Sequence, residues 1–159
     1  MCGGDAESFL QAEMVIKSYA KKIVRVGTAG QGQLAKMVNQ ICIAGLIQGL
    51  SEGIAFATNA GLDPALVINA ICSGAAGSWQ MHNRASTMVD DEYDFGFAVE
   101  LMRKDLGICI SQAKKNGSDV PVTKLVDSFY SEIEENGGQR WDTSSLLSRL
   151  PRTGRTKGY

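Results

Sequence analysis

Residues 31–61 run Gln31-Gly32-Gln33-Leu34-Ala35-Lys36-Met37-Val38-Asn39-Gln40-Ile41-Cys42-Ile43-Ala44-Gly45-Leu46-Ile47-Gln48-Gly49-Leu50-Ser51-Glu52-Gly53-Ile54-Ala55-Phe56-Ala57-Thr58-Asn59-Ala60-Gly61. No proline interrupts this stretch, and its apolar residues recur at helical spacing. It reads as one long helix from about Gln31 to Ala60, with Gly61 just beyond its end. The most membrane-like part, Val38 to Ala57, carries Asn39, Gln40, Gln48 and Glu52. A carboxylate and three amides near mid-bilayer are expensive, so the segment reads as the buried helix of a soluble domain.

Two stripes mark this helix. Gly45, Gly49 and Gly53 recur every fourth residue, continued by Ala57 and Gly61. Each interior glycine costs about 1 kcal/mol relative to alanine, so the three weaken a solitary helix by roughly 3 kcal/mol. Close packing of another backbone on that face would offset the loss. The stripe therefore predicts a central, buried helix at a subunit interface. The second stripe is polar: Lys36, Asn39 and Gln40 share a face, with Gln33 one turn earlier. It has two readings. In one, Lys36 snorkels to water from a solvated face. In the other, a desolvated amine exchanges protons as a general acid or base, and the neighbouring Asn39 amide holds a substrate oxygen.

Outward from this helix, the C-terminal side is all-α. Asp63-Pro64 starts a second helix carrying Leu66, Val67, Ala70 and Ile71, which ends near Gly74. Ser78 caps a third helix through about Val89. Asp90 to Gly96 is a polar and aromatic loop. A fourth helix runs from about Ala98 to Asn116 and stops at Gly117. Pro121 opens a fifth that ends near Gly137-Gly138. Asp142 or Thr143 caps a short last helix through Arg149, and a basic tail from Pro151 to Tyr159 is expected to fray. The N-terminal side differs. Met1 to Gly4 reads as a strand end, Asp5 as the cap of a helix bearing Phe9, Leu10 and Met14, and Ile23, Val24 and Val26 as a strand stopping at Gly27. This is part of a βαβ unit, too small to make its own sheet. It is expected to be the tail of something larger, cut at or near Met1.

Composition narrows the function classes. The chain has 159 residues, 44% hydrophobic and 21% charged, which allows one packed domain. With 16 basic and 17 acidic side chains the net charge is −1, so neither nucleic acid nor an anionic membrane is an expected partner. Cys2, Cys42, Cys72 and Cys109 lack CxxC spacing and read as reduced, small core residues, without a metal site. No secretory leader is recognisable, and a cytoplasmic location is expected, with an organellar one left open. His82 has no acidic or thiol partner at ligand spacing, and Asp90-Asp91-Glu92 with Asp94 lacks calcium-loop spacing.

Four stretches together resemble one family. Gly27-Thr28-Ala29-Gly30-Gln31-Gly32-Gln33-Leu34-Ala35-Lys36-Met37-Val38-Asn39-Gln40 is similar to the Gly-x-x-Gly-x-Gly-x-x-x-Lys-x-x-Asn signature of the β-hydroxyacid dehydrogenases. This is the 3-hydroxyisobutyrate dehydrogenase family, related to 6-phosphogluconate dehydrogenase. Ser51-Glu52-Gly53 with Ala60-Gly61-Leu62-Asp63, then Gly74-Ala75-Ala76-Gly77-Ser78-Trp79, then Phe95-Gly96-Phe97 leading to Leu101 and Lys104-Asp105-Leu106, follow in the family's order. The resemblance covers about residues 1–150.

The resemblance implies a mainly all-α fold. It is a 6-phosphogluconate dehydrogenase C-terminal-like helical domain on a long central helix, preceded by a βαβ remnant of a Rossmann domain. Residues 1–27 would be that remnant, 28–150 the helical substrate and dimerisation domain, and 151–159 the tail. The implied activity is NAD- or NADP-dependent interconversion of a small 3-hydroxy acid and its semialdehyde. Lys36 would be the acid/base and Asn39 would orient the substrate. Gln40, Trp79 and Phe97 would line the substrate site, and Lys104 and Phe95 would approach the cofactor. A homodimer or higher homo-oligomer is implied, since helical domains of this family associate through such glycine-lined faces. The family's Gly-x-Gly-x-x-Gly cofactor fingerprint and Ser-Gly-Gly substrate loop do not occur here. The chain alone is therefore expected to bind dinucleotide weakly or not at all and to show no turnover. The alternative reading is a non-catalytic helical assembly module, which has no reason to keep Lys36 and Asn39 in an apolar stretch.

Overall fold

The computed structural model describes residues 1–154 and is 64% helical. Its order is β1 (Cys2–Gly3), α1 (Ala6–Ile16), β2 (Arg25–Gly27), α2 (Gln31–Asn59), α3 (Pro64–Ile71), α4 (Trp79–Val89), α5 (Val99–Asn116), α6 (Pro121–Glu135) and a 3-10 helix, η1 (Thr143–Arg149). Two compact units divide the chain, Met1–Gln40 and Ile41–Tyr159. The boundary between these units falls inside α2.

The reason is visible in the first unit. β1 and β2 pair in parallel, Cys2 opposite Arg25 and Gly3 opposite Gly27, and the end of β1 packs against the turn that opens α2. A Cβ on Gly3 would lie 2.5 Å from the Thr28 carbonyl oxygen and 2.8 Å from Gly32 N; one on Gly32 would lie 3.0 Å from Gly3 N. Only glycine permits this backbone-on-backbone approach. Asp5 caps α1 as expected, its Oδ1 accepting from Ser8 N at 2.8 Å, and these bonds hold its carboxyl below the usual range. No residue of α1 is buried, and Leu10, Met14, Val15 and Tyr19 stay exposed. Among the described residues the sheet has two strands.

In the second unit the rest of α2 is the central element. One face meets α5, α6 and η1 through Ala44, Ile47, Val99, Met102, Leu106, Val126, Tyr130, Ile133 and Leu146. Further along, Leu50, Ile54 and Ala55 pack with Met81, Ala85, Met88, Tyr93 and Leu147. Capping chemistry sets the helix starts and stops. Asp63 Oδ1 accepts from Ala65 N at 2.8 Å, Ser78 Oγ from Met81 N at 3.1 Å, and Gly117 ends α5 at φ +77°. Helix α2 is apolar enough to pass a length-and-hydropathy test for spanning a membrane, yet 44% of its most apolar window is buried within the protein.

Three expectations are corrected. First, among the described residues no neighbouring helix covers the glycine face of α2. A Cβ on Gly49 or Gly53 would meet nothing within 4 Å, and one on Gly45 would meet only Val122 Cγ1, at 3.8 Å. The core side of α2 carries the bulky residues instead. Second, the tail is tied down as far as it is described. Asn59 Nδ2 donates to the Pro151 carbonyl at 3.0 Å, Thr153 N donates to Asn59 Oδ1 at 2.7 Å, and Arg152 Nη2 reaches Asp91 Oδ1 at 2.7 Å. Residues 155–159 of that expected tail lie outside the described residues. Third, only Cys109 is a core cysteine; Cys42 is exposed and Cys2 and Cys72 are half-buried.

The clamp on the tail carries a pH prediction. The buried Tyr93 hydroxyl donates to Asp91 Oδ1 at 2.7 Å, and burial pushes the phenol from 10.0 up to about 12, although Arg152 opposes the rise. The folded state therefore keeps this proton after the unfolded state has lost it. Its contribution, roughly 2–3 kcal/mol, is complete below pH 10 and vanishes as pH climbs through 12. Urea unfolding from pH 9 upward should show stability falling across this window, with a shallower fall in Tyr93→Phe. Tyr130, fully buried and also pushed up, keeps the fall from disappearing. Equal slopes in the two proteins would contradict the assignment.

Candidate functional site

The glycine turn after β2 launches α2 so that Lys36, Asn39 and Gln40 fall on one face of its first turns. Lys36 and Asn39 are exposed and Gln40 is buried, at 6%. Of the two readings of Lys36, the described residues show the solvated position. Asn39 Nδ2 donates to Gln40 Oε1 at 3.0 Å, so the two amides orient one another. Gln48 repeats the pattern lower on the helix, its Nε2 donating to Glu52 Oε1 at 2.7 Å.

The other expected site residues lie in the second unit. Ser78 starts α4 and puts Trp79 at its first position, 60% exposed. The loop between α4 and α5 carries Phe95, half-buried, and Phe97, exposed. Lys104 projects from α5 with a largely exposed side chain, its Nζ 3.1 Å from the buried carboxylate of Asp105. The structure brings Trp79 and Phe95 together through a residue that carries no role in the sequence reading. The Arg84 guanidinium carbon sits 5.0 Å from the Trp79 ring centroid and 5.1 Å from that of Phe95. Arg84 Nε donates to Asp142 Oδ2 at 3.2 Å, and Asp142 Oδ1 accepts from Phe97 N at 2.9 Å. Asp142 was legible only as a helix cap. The one local hint was Gly96 between two phenylalanines. Its φ of +74° suits glycine, and a Cβ there would fall 2.0 Å from Asp142 Oδ1.

Comparison with known proteins identifies the family. The model of the NAD-binding domain of NADP-dependent 3-hydroxyisobutyrate dehydrogenase matches residues 30–150. The chain belongs to the 3-hydroxyisobutyrate dehydrogenase family. An uncharacterized oxidoreductase of Shewanella frigidimarina is 56% identical over 96% of this chain and 53% of its own length. The 2-hydroxy-3-oxopropionate reductase of Escherichia coli is 33% identical over 94% of this chain and 51% of its own. A crystal structure of 3-hydroxyisobutyrate dehydrogenase from Salmonella typhimurium matches with a TM-score of 0.82 at 26% identity, covering 91% of this chain and 51% of that one. The chain spans about half the length of the curated relatives it matches. The family match includes the polar face of α2, the Trp79 helix, the Phe95–Phe97 loop and Lys104.

A family cofactor must find its seat in such a chain. A dinucleotide's phosphates need a glycine-lined turn whose N–H groups stay open at a helix start. The turn before α2 is not one, because the spaces over Gly3 and Gly32 are filled by backbone of this same unit, and that over Gly27 by the Gln31 side chain. Lys104, with its ammonium beside the Asp105 carboxylate, and Phe95, with its ring against Arg84, both lie away from that turn in sequence.

Proposed function

We propose that this chain is the substrate-binding and subunit-binding half of an NAD- or NADP-dependent dehydrogenase that interconverts a small 3-hydroxy acid and its semialdehyde. The observation that carries the reading is the Lys36–Asn39–Gln40 face at the start of α2, inside the family match. The Lys36 amine takes the hydroxyl proton as the acid is oxidised and returns it in the reverse direction. Asn39, its Nδ2 engaged by Gln40, turns Oδ1 toward the substrate hydroxyl. In the second unit, by the family resemblance, Trp79 and Phe97 are assigned to the substrate and Lys104 and Phe95 to the nicotinamide end of the cofactor. The cofactor, when bound, supplies the hydride acceptor. The Rossmann half on which the family's dinucleotide cradle lies would come from outside the described residues, and the chain by itself is expected to show no turnover.

A panel of 2-, 3- and 4-hydroxy acids tests the reaction class, followed at 340 nm with the native polypeptide and either dinucleotide. Reduction of dinucleotide confined to 3-hydroxy acids is expected; equal use of all three classes would count against the proposed register of Lys36 and substrate.

The subunit role rests on the uncovered glycine face. Gly45, Gly49 and Gly53 line an apolar groove of about 330 Å3 with Leu46, Val67 and Ile71, and Phe56 and Leu66 stand exposed on the helices that border it. A helix from a second copy of this chain is the proposed occupant, because small residues let two backbones approach closely. Sedimentation should give a dimer or larger that Gly49→Leu disperses. A monomer at high concentration, before any substitution, would refute this.

A further inference from the structure

Arg84 and Asp142 form a pair whose placement the proposed reaction has not yet used. The Asp142 side chain is 1% exposed and that of Arg84 21%. The Asp142 carboxylate ties the first turn of η1 to α4 and to the loop before α5. Oδ2 accepts from Arg84 Nε, from Ser144 N at 3.0 Å and from Ser144 Oγ at 2.6 Å, while Oδ1 accepts from Phe97 N. Backbone bonds reinforce it: Asp142 N donates to the Tyr93 carbonyl at 2.8 Å and Thr143 N to the Phe97 carbonyl at 3.0 Å. On the other side, Arg84 Nη1 donates to the Asn83 carbonyl at 3.1 Å, which fixes the guanidinium plane beside both aromatic rings.

We infer that Arg84 is a positioning residue: clamped by Asp142, its guanidinium joins the Trp79 ring to the Phe95-Gly96-Phe97 turn and makes them one rigid wall. The start of α4 and the loop before α5 are joined through Asp142, which holds Arg84 by an ion pair and Phe97 N by a hydrogen bond. A large, mostly exposed Trp79 would otherwise sample several rotamers. Because Asp142 neutralises the guanidinium, Arg84 does not act by attracting an anionic substrate. It acts by its flat, delocalised face, which lysine lacks. That the wall faces substrate rests on the function proposed above; the clamp itself does not.

The test has a spectroscopic arm and a kinetic arm. In wild-type protein the Arg84 Nε–H resonance should be resolved and slow to exchange, as a proton held by the Asp142 carboxylate. A fast-exchanging resonance overturns the proposal without any variant. In a Trp141→Phe background Trp79 is the remaining tryptophan of the two. Arg84→Gln and Arg84→Lys should both raise its acrylamide quenching and lower its anisotropy, with far-UV circular dichroism unchanged. If Lys retains the wild-type values, charge and not the planar face does the positioning, and the inference fails. In the native polypeptide both variants should raise KM for the hydroxy acid roughly ten-fold, with kcat nearly constant. A loosened Trp79 with an unchanged KM would uphold the clamp and overturn the assignment of this wall to the substrate site.

Discussion

Lys36→Ala should reduce kcat for 3-hydroxy acid oxidation by a factor of about 10² to 10⁴ while leaving the fold intact. The first part follows from chemistry. Oxidation at carbon removes a hydride and a hydroxyl proton, and without a positioned base the proton must leave to water. The second part follows from geometry. Lys36 is exposed at the start of a 29-residue helix, and alanine is the better helix former there. Urea unfolding should therefore move little, which separates a catalytic loss from a folding one. Lys36→Arg keeps the charge but holds its proton too tightly to exchange it, so it should be nearly as slow as alanine. Turnover within about three-fold of wild type in the alanine variant would be far below the effect expected of a general base, and would favour the assembly-module reading.

Asp142→Ala should be the most damaging single substitution to stability outside the apolar core. It strands the Arg84 guanidinium, removes the cap of η1, and leaves Phe97 N without its acceptor. Breaking a buried pair by removing one partner costs about 3–5 kcal/mol. Arg84 keeps partial contact with water, so the lower end applies, and the lost cap adds about 1 kcal/mol. A total of roughly 4 kcal/mol lowers Tm by about 10 °C for a chain of this size. Asp142→Asn should lose less, since its carbonyl oxygen can still accept from Phe97 N. Thermal unfolding followed by circular dichroism measures both, and a drop below about 3 °C in the alanine variant would refute the role given to this carboxylate.

The sequence disclosed what local chemistry decides. Asp63-Pro64, Ser78, Gly117 and Pro121 mark helix ends because each satisfies or forbids a backbone hydrogen bond within its own turn, and the structure has helix boundaries beside all four. The long helix was legible from its period, and the family from four motifs in order. What period cannot tell is which face of a helix is covered. The glycines of α2 suggested a packed face, yet Ala44, Ile47 and Ile54 took the core and Gly49 and Gly53 stayed open. The same limit applied to Lys36, which spacing alone left between a solvated and a buried position. The Arg84–Asp142 pair was hidden for a different reason: its partners are 58 residues apart, and neither carries a local signal beyond an aromatic–glycine–aromatic turn and a cap.

The pH dependence of turnover in both directions, wild type beside Lys36→Ala, tests the proposed acid/base most directly. Oxidation needs the amine unprotonated and reduction needs it protonated. Lys36→Ala should lose most of its rate in both directions at every pH, and an added small primary amine should restore part of it. A rate retained by Lys36→Ala in either direction would show that another group handles the proton, and would contradict the role assigned to Lys36.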